Sequence, residues 1–212
     1  MENLLRFRRF AASLFISSAI PVSPGKRARR LRANAAVVLI LLAGLAAAQI
    51  MPSEYDVKAA YLFNFGKFIR VNGTARPAPR STFDLCILGR DPMGRAIDDI
   101  AANESIDNRT VRIVRIADVS QAHGCEVLFI GSSEEAQLRE NLAIIAKSDV
   151  LTVSDAPDFL DRGGMIQFVL QQNRVRFAIN LDAVNRTHLV LSSELLKVAS
   201  TIKGRPLPEA PQ

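Results

Sequence analysis

The residue types that most often carry chemistry are few in this sequence, and their spacing forms no catalytic or metal-binding set. His123 and His188 lie in separate predicted loops, and neither has a cysteine, histidine or carboxylate at the spacing of a zinc site. No Gly-x-Ser-x-Gly motif is present to place a serine nucleophile. Asp155, Asp158 and Asp161 recur every three residues but match no calcium loop, so we interpret them as solvated loop residues. The sequence therefore predicts no catalytic residue, no metal site and no cofactor, as expected of a protein that is not an enzyme.

Residues 89–94, Gly-Arg-Asp-Pro-Met-Gly, form a turn between a predicted strand and a predicted helix. The free N–H groups at such a helix start can hold a phosphate. However, the glycine spacing matches neither a dinucleotide-binding motif nor a P-loop, and Asp91 would repel an anion. We interpret the segment as an ordinary capped turn.

Two arginines, Arg174 and Arg176, share one face of a predicted strand, with Gln172 and Asn180 nearby. Two guanidinium groups on one face can bind a carboxylate, a phosphate or an acidic patch of a partner. The alternative is that they are solvated charges that keep an edge strand from aggregating. A small-molecule pocket that combines these arginines with the turn at residues 89–94 is a further hypothesis.

The positive charge of the chain is concentrated at its amino terminus. The formal net charge is +6, but residues 1–48 hold eight basic groups and one acidic group, so residues 49–212 are close to neutral. A nucleic-acid interface needs lysines and arginines clustered on the folded domain. The charge distribution therefore argues against nucleic-acid binding.

The amino-terminal segment has the organisation of a secretory signal peptide. Residues 26–32 are basic, residues 35–48 are apolar, and three alanines at 46–48 precede a predicted cleavage near Gln49. Fourteen residues rise about 21 Å as a helix, which is short of the ~30 Å hydrocarbon core and disfavours an uncleaved anchor. Residues 1–25 make the part before the apolar segment unusually long for a signal peptide. A start codon further along the sequence is therefore an alternative. We predict a signal peptide at residues 1–48 and export to the periplasm.

Cys86 and Cys125 are the only cysteines, and both belong to the predicted exported part. An even count in an exported domain favours one disulfide, worth about 4 kcal/mol on the chain-entropy model. Two buried thiols are the alternative.

The remaining pattern predicts one α/β domain over residues 49–203. A mostly apolar helix is expected at 54–71, deeply buried or partly covered by another chain, followed by a loop at 72–80. Strands then alternate with helical segments, which is typical of a parallel sheet with helices on both faces. The strands are expected at 83–88, 111–116, 125–130 and 150–153, and the helical segments at 91–102, 118–122 and 134–147.

The carboxyl-terminal part departs from this alternation. Strands at 165–170 and 174–180 are separated by a short turn, which predicts an antiparallel hairpin. Ser192 or Ser193 is expected to cap a last helix that ends near Ile202, and residues 204–212 are a predicted tail.

The segment GGMIQFVLQQNRVRFAINLDA, residues 163–183, resembles the YfiR family of periplasmic regulators. Further similar stretches follow in the family order and together span residues 54–202. They are VKAAYLFNFGKFI (57–69), LCILGRDPMG (85–94), CEVLFI (125–130), VLTVSD (150–155) and LSSELLKVA (191–199). The resemblance implies a Rossmann-like α/β domain whose mostly parallel sheet ends in the antiparallel hairpin.

The resemblance also implies a function and a site. Such a protein is a periplasmic homodimer that binds the periplasmic sensor region of a YfiN-like inner-membrane diguanylate cyclase and represses it, which controls cyclic di-GMP and biofilm formation. Cys86 and Cys125 stand where family members pair cysteines, so a redox-sensitive disulfide is expected, with a small-molecule effector as a further possibility. We expect the partner contact at Phe168, Arg174, Arg176 and Phe177, with the exposed arc of the first helix as an addition. The alternative is a periplasmic small-molecule-binding protein without a cyclase partner.

Overall fold

The computed structural model describes residues 52–72 and 80–204. The predicted signal peptide at 1–48 and most of the predicted tail therefore lie outside the described residues. The helices are α1 (Glu54–Phe65), α2 (Arg95–Asn103), α3 (Leu138–Ile145), α4 (Leu181–Val184) and α5 (Ser193–Val198), with 3₁₀ segments at Gly66–Phe68, Val119–Gly124 and Ser132–Gln137. The strands are β1 (Ile69–Val71), β2 (Thr82–Leu88), β3 (Ser105–Ile106), β4 (Arg109–Ile116), β5 (Val127–Ile130), β6 (Leu151–Ser154), β7 (Ile166–Gln171), β8 (Arg174–Asn180), β9 (Leu189–Leu191) and β10 (Thr201–Lys203).

Eight of the strands form one mostly parallel sheet, in the order β10-β8-β7-β6-β5-β2-β4-β3. Strands β4, β2, β5, β6 and β7 run parallel, whereas β8 is antiparallel to β7. Strands β1 and β9 form a separate two-stranded antiparallel ribbon. This arrangement confirms the predicted α/β, Rossmann-like class with its antiparallel hairpin.

The central strand β2 is buried on both faces, as parallel strands between two helical layers are. Phe83, Leu85 and Ile87 point to a core that includes residues of α1, α2 and α5. Cys86 and Leu88 point to a second core that includes residues of α3 and of the 3₁₀ helix at 119–124. The prediction of helices on both faces is thereby confirmed.

The first helix is shorter than predicted. Ser53 and Asp56 form a capping box at its start, which fixes where α1 begins. The α-helix ends at Phe65 and continues as the 3₁₀ turn at Gly66–Phe68, and Gly66 lies so close to β2 and β3 that a Cβ atom there would be 2.7 Å from Ile106 Cδ1. Residues 69–71, predicted as helix, instead form β1 and pair with β9.

The last helix is also shorter than predicted, and the helix after β2 starts later. Helix α5 ends at Val198, and residues 201–203 form β10, which pairs in parallel with β8. Ser200 fixes this change of direction because its backbone N–H and its hydroxyl both donate to Phe177 O at 2.8 Å. Helix α2 begins at Arg95, since residues 91–94 form a turn closed by the Asp91 side chain.

Candidate functional site

The β7–β8 hairpin extends beyond the carboxyl ends of the parallel strands. Ser154, the last residue of β6, pairs with Gln167, so the distal part of the hairpin has no neighbour in β6. Gln171 pairs with Arg174, and the two turn residues between them have positive φ angles, as a two-residue hairpin turn requires. The predicted hairpin is confirmed, and its tip is an exposed projection.

The exposed part of this projection is cationic on one face and apolar on the other. Arg174 and Arg176 are exposed on one face of β8. Leu170, which pairs with Val175 on the opposite face, is 57% exposed. An open depression of about 470 Å³ is bounded by Gln171, Gln172 and the two arginines. We refer to Leu170, Gln171, Gln172, Arg174 and Arg176 as the hairpin tip.

Phe168 and Phe177 do not belong to that exposed surface. Phe168 is 3% and Phe177 1% exposed, and they pair with each other on the face that packs against α1. Their ring centroids lie 5.8 and 5.0 Å from that of Phe65, with Tyr61 close to both. The expectation that they contact a partner needs correction, because strand alternation turns them inward, where they fix the hairpin to α1.

Asn180 is also separate from the arginines with which its sequence position associates it. Its amide nitrogen donates to Leu160 O at 2.9 Å, and its side-chain oxygen accepts from Ala183 N–H at 3.1 Å, which caps α4. Asn180 is therefore a buried structural residue.

The two cysteines form the predicted disulfide. Cys86 lies in the middle of β2 and Cys125 directly precedes β5, with 5.9 Å between their Cα atoms. Both are buried in the second core. The bond ties the end of the 3₁₀ helix at 119–124 to the central strand.

The crevice at the carboxyl ends of β2 and β5, where Rossmann-like folds usually place a ligand, is filled by protein groups. A Cβ atom at Gly131 would lie 2.6 Å from Arg90 O. Arg90 N–H donates to Ser133 Oγ at 2.9 Å, and the Asp91 carboxylate accepts from the N–H groups of Met93 and Gly94. Three N–H groups of this turn, those of Arg90, Met93 and Gly94, are thus already engaged by side chains of the protein. Strands β5 and β6 also separate this turn from the hairpin tip, so the two do not form one pocket.

A buried ion pair that the sequence analysis missed lies at the same end of the sheet. Lys58 of α1 is 5% exposed, and its Nζ lies 2.7 Å from Asp155 Oδ2 and 2.6 Å from Glu54 Oε1. Tyr55 also donates its hydroxyl to Asp155, at 3.2 Å. Burial lowers the pKa of Lys58, but the hydrogen bonds to the two carboxylates outweigh it, and the pKa is raised. Burial, with Asp155 nearby, likewise raises the pKa of Tyr55.

This ion pair corrects the interpretation of Asp155 as a solvated loop residue. Asp155 follows β6 directly and is partly buried against α1, whereas Asp158 and Asp161 are exposed. Asp161 pairs instead with Lys203, at 2.6 Å. The three carboxylates therefore do not converge on one ligand.

The opposite end of the parallel strands carries an open polar cleft, which we call the amino-end cleft. Its main part has a volume of about 290 Å³. A second part of about 170 Å³ shares Val71, Glu126 and Asp149 with the first. The main part is lined by segments that precede β2, β5 and β6, namely Arg80, residues 123–126 and residues 147–150.

The acidic groups of the amino-end cleft have partners in the protein. Glu126 is 5% exposed, and its carboxylate accepts from Arg109 Nη1 at 2.8 Å and from Asp84 N–H at 2.7 Å. Asp149 accepts from His188 N–H at 2.9 Å, with the ring Nδ1 at 3.1 Å. The sequence analysis missed this site because its residues converge only through the strand register. The available signal was that each lining segment directly precedes a predicted parallel strand.

Neither a metal cluster nor a membrane span is present in the described part of the chain. No three histidine, cysteine or acidic side chains within residues 52–72 and 80–204 are grouped to hold a metal ion. Over the same residues, every helix is too short or too polar to cross a membrane.

Comparison with known proteins identifies a family. The model of the YfiR/HmsC-like family matches residues 55–200. That family is periplasmic and regulatory, without a catalytic activity, and acts in cyclic di-GMP signalling. No curated protein matches the chain.

Two solved structures are distantly similar to the chain. The conserved domain protein from Vibrio cholerae O1 biovar eltor str. N16961 is 8% identical, with a TM-score of 0.44 over 57% of this chain and 54% of that one. The ABC domain in complex with L-Trp from Streptococcus pneumonia is 9% identical, with a TM-score of 0.42 over 57% of this chain and 55% of that one. The chain spans about half the length of both, and likenesses at this distance carry no functional argument.

Proposed function

The chain belongs to the YfiR/HmsC-like family, and on that premise we propose that it binds the periplasmic sensor region of an inner-membrane diguanylate cyclase and represses it. The family match carries this proposal, since it extends from α1 to the end of α5. Repression lowers cyclic di-GMP and restrains biofilm formation. The protein acts by binding and is not an enzyme.

The proposed location is the periplasm. We infer that residues 1–48 are a signal peptide that is removed near Gln49, because a basic segment, an apolar segment and small residues follow one another there. The proposed mature protein comprises residues 49–212. It forms a homodimer in which each protomer has one α/β domain.

The hairpin tip is the proposed contact surface. Arg174 and Arg176 are exposed, and among the described residues neither pairs with a carboxylate. Leu170 adds an exposed apolar side chain on the other face of the same projection. The chemistry fits a partner surface with carboxylates beside an apolar patch, because guanidinium groups bind carboxylates through paired hydrogen bonds. Phe168 and Phe177 support this surface from the core.

Release of the cyclase is proposed to depend on the disulfide. Cys86 lies in β2, inside the sheet, so reduction of its bond to Cys125 removes a crosslink between this strand and the segment that leads into β5. A change of a few kcal/mol in the balance between a binding and a non-binding form shifts most of the population.

A direct test uses membranes that contain the cyclase. We expect the purified protein to inhibit cyclic di-GMP synthesis by the membranes, and Arg174→Glu/Arg176→Glu to raise the half-inhibitory concentration by about tenfold or more. The matched control is Arg95→Glu/Arg139→Glu, which reverses two exposed charges outside the hairpin and leaves inhibition unchanged. Inhibition that is the same for both double variants would contradict the proposed contact, and no inhibition by the native protein would contradict the proposed function.

The second candidate function is small-molecule binding without a cyclase partner. The depression of about 470 Å³ at the hairpin tip favours it, because four polar side chains bound that space. Tight, saturable binding of a metabolite that depends on Arg174 and Arg176, together with unchanged cyclase activity, would support this candidate instead.

A further inference from the structure

We propose that the amino-end cleft binds a small anionic molecule that carries a carboxylate or a phosphate group. This site lies at the opposite end of the parallel strands from the hairpin tip, and the inference does not depend on repression of a cyclase. Its volume of about 290 Å³ suits a compact ligand rather than a large cofactor.

The charge that the cleft has available for a ligand is positive. Arg80 and Lys147 both line the main part of the cleft, and neither is paired with a carboxylate among the described residues. Arg80 Nη1 donates to Gly124 O at 2.5 Å, which holds the guanidinium at the rim and leaves other N–H donors of the group for a ligand. His123 lines the same wall, with its ring Nδ1 3.1 Å from Ser148 Oγ.

The acidic groups do not cancel this charge. Glu126 forms the floor with its carboxylate bonded to Arg109 and to a backbone N–H group. Asp149 is held by the backbone and the ring of His188. Arg109 balances the charge of Glu126, so the two cationic side chains at the rim outnumber the one remaining carboxylate, that of Asp149. Charge-assisted hydrogen bonds of this kind are the stronger ones in proteins.

The wall of the cleft is connected to the disulfide. Cys125 lines the cleft and its sulfur is bonded to Cys86 in the central strand. If the disulfide raises the affinity for the ligand, thermodynamic linkage requires that the bound ligand stabilise the disulfide by the same free energy. The cleft is thus placed to couple a small anion to the redox state of the domain.

The test is a titration of the purified protein with inorganic phosphate and, separately, with succinate, at constant ionic strength, followed by ¹H–¹⁵N NMR. We expect saturable shifts of the amides of Gly124, Ser148 and Val150 with at least one anion. Lys147→Gln and Arg80→Gln each weaken that binding by about tenfold, since each removes a charged donor. Lys197→Gln, which removes an exposed lysine of α5 outside the cleft, leaves binding unchanged.

The two anions distinguish the ligand class. Binding of phosphate alone assigns a phosphate ligand, and binding of succinate alone assigns a carboxylate ligand. The proposal is overturned if neither anion gives a saturable shift up to about 10 mM, if chloride gives the same shifts, or if Lys147→Gln and Arg80→Gln both bind like the native protein. Because Lys147→Gln keeps the hairpin tip, it is expected to repress the cyclase normally in the absence of anions. The outcome for the cleft is thus separate from that for cyclase repression.

Discussion

The two ends of the parallel strands differ in what fills them. At the carboxyl end, Asp91, Ser133 and the close approach of Gly131 to Arg90 fill the crevice between β2 and β5. At the amino end, the segments before β2, β5 and β6 leave a polar cleft whose rim carries Arg80 and Lys147, neither of which pairs with a carboxylate of residues 52–72 or 80–204. Protein groups thus occupy the crevice at the carboxyl ends of the strands, where this fold usually holds a ligand. The amino-end cleft, in contrast, is open to solvent.

The hairpin accounts for the exposed surface at the carboxyl end. Because β7 and β8 continue past Ser154, they carry charged and apolar side chains away from the filled crevice. The contacts of Phe168 and Phe177 with Phe65 attach the base of the projection to α1. We infer that partner binding uses the projection and that small ligands use the cleft at the other end.

The largest expected effect comes from removal of the disulfide, which the structure ties to the amino end. Cys86→Ser/Cys125→Ser opens a crosslink of 39 residues and is expected to lower the free energy of unfolding by about 4 kcal/mol, because the unfolded chain gains entropy. Urea unfolding measures the loss, with the chemically reduced native protein as control. Amide hydrogen exchange is expected to accelerate more at residues 124–126 and 148–150 than at 89–94. Equal acceleration of exchange in the two groups of residues would contradict the inference that the disulfide stabilises mainly the amino end of the strands.

The buried ion pair tests the carboxyl end. Lys58→Met leaves the Asp155 carboxylate without its cation, and we expect a loss of about 3 kcal/mol in unfolding free energy. Lys67→Met is the matched control, since Lys67 forms a partly exposed pair with Glu104 and its removal costs less than about 1 kcal/mol. A similar loss for the two variants would show that burial of Lys58 does not matter.

The pH dependence of that loss follows from the raised pKa of Lys58. A lysine whose pKa is raised by folding contributes fully below its ordinary pKa of about 10.4, and the contribution is lost as the pH rises through the folded value. The difference between native protein and Lys58→Met is therefore expected to be constant from about pH 7 to 9 and to shrink above about pH 10. Urea unfolding across this range measures it, and a difference that grows at high pH would contradict the assignment.

Two glycines provide a matched comparison between the ends. Gly131→Ala places a methyl group 2.6 Å from Arg90 O in the filled crevice, and we expect a loss of about 1 to 3 kcal/mol from overpacking. Gly124→Ala at the open cleft places it 3.5 Å from Arg80 Nη1, an ordinary contact, and the change is expected to stay within about 0.5 kcal/mol. Thermal unfolding of the two variants measures the contrast. Equal losses would mean that the crevice is no more tightly packed than the cleft.

The smallest expected effect on stability is at the hairpin tip. Arg174→Glu/Arg176→Glu changes exposed side chains, so its free energy of unfolding is expected to stay within about 0.5 kcal/mol of the native value. Circular dichroism during urea unfolding measures it. A large loss would mean that the arginines hold the hairpin together, and would remove them as a clean probe of partner binding.

The sequence predicts those parts of the fold that depend on local hydrophobic pattern. The apolar runs of β2, β5 and β6 and the alternation in β8 indicate the strands, and the resemblance to the YfiR family pairs Cys86 with Cys125. The ribbon of β1 and β9 is not predicted, because three-residue strands are too short for a periodic signal. Residues 69–71 therefore read as the end of an apolar helix.

The sequence does not predict which distant residues meet at the two ends of the parallel strands. Lys58 and Asp155 are 97 residues apart, and a lysine on a helix gives no sign that it is buried until the partner carboxylate is placed. Arg80, Lys147 and Asp149 likewise meet only once the order of β2, β5 and β6 is known. The pattern of β8 separates two faces of the strand but does not show which of them packs against α1, so it does not indicate that Phe168 and Phe177 are buried.

The most direct test of cyclase repression is cellular cyclic di-GMP after deletion of the gene. Expression of the native protein, of Arg174→Glu/Arg176→Glu, or of Arg95→Glu/Arg139→Glu at matched levels then completes the comparison. We predict a rise in cyclic di-GMP on deletion, full reversal by the native protein and by the control variant, and failure of the hairpin variant to reverse it. Unchanged cyclic di-GMP on deletion, with the cyclase shown to be present in the membrane, would contradict the repressor function.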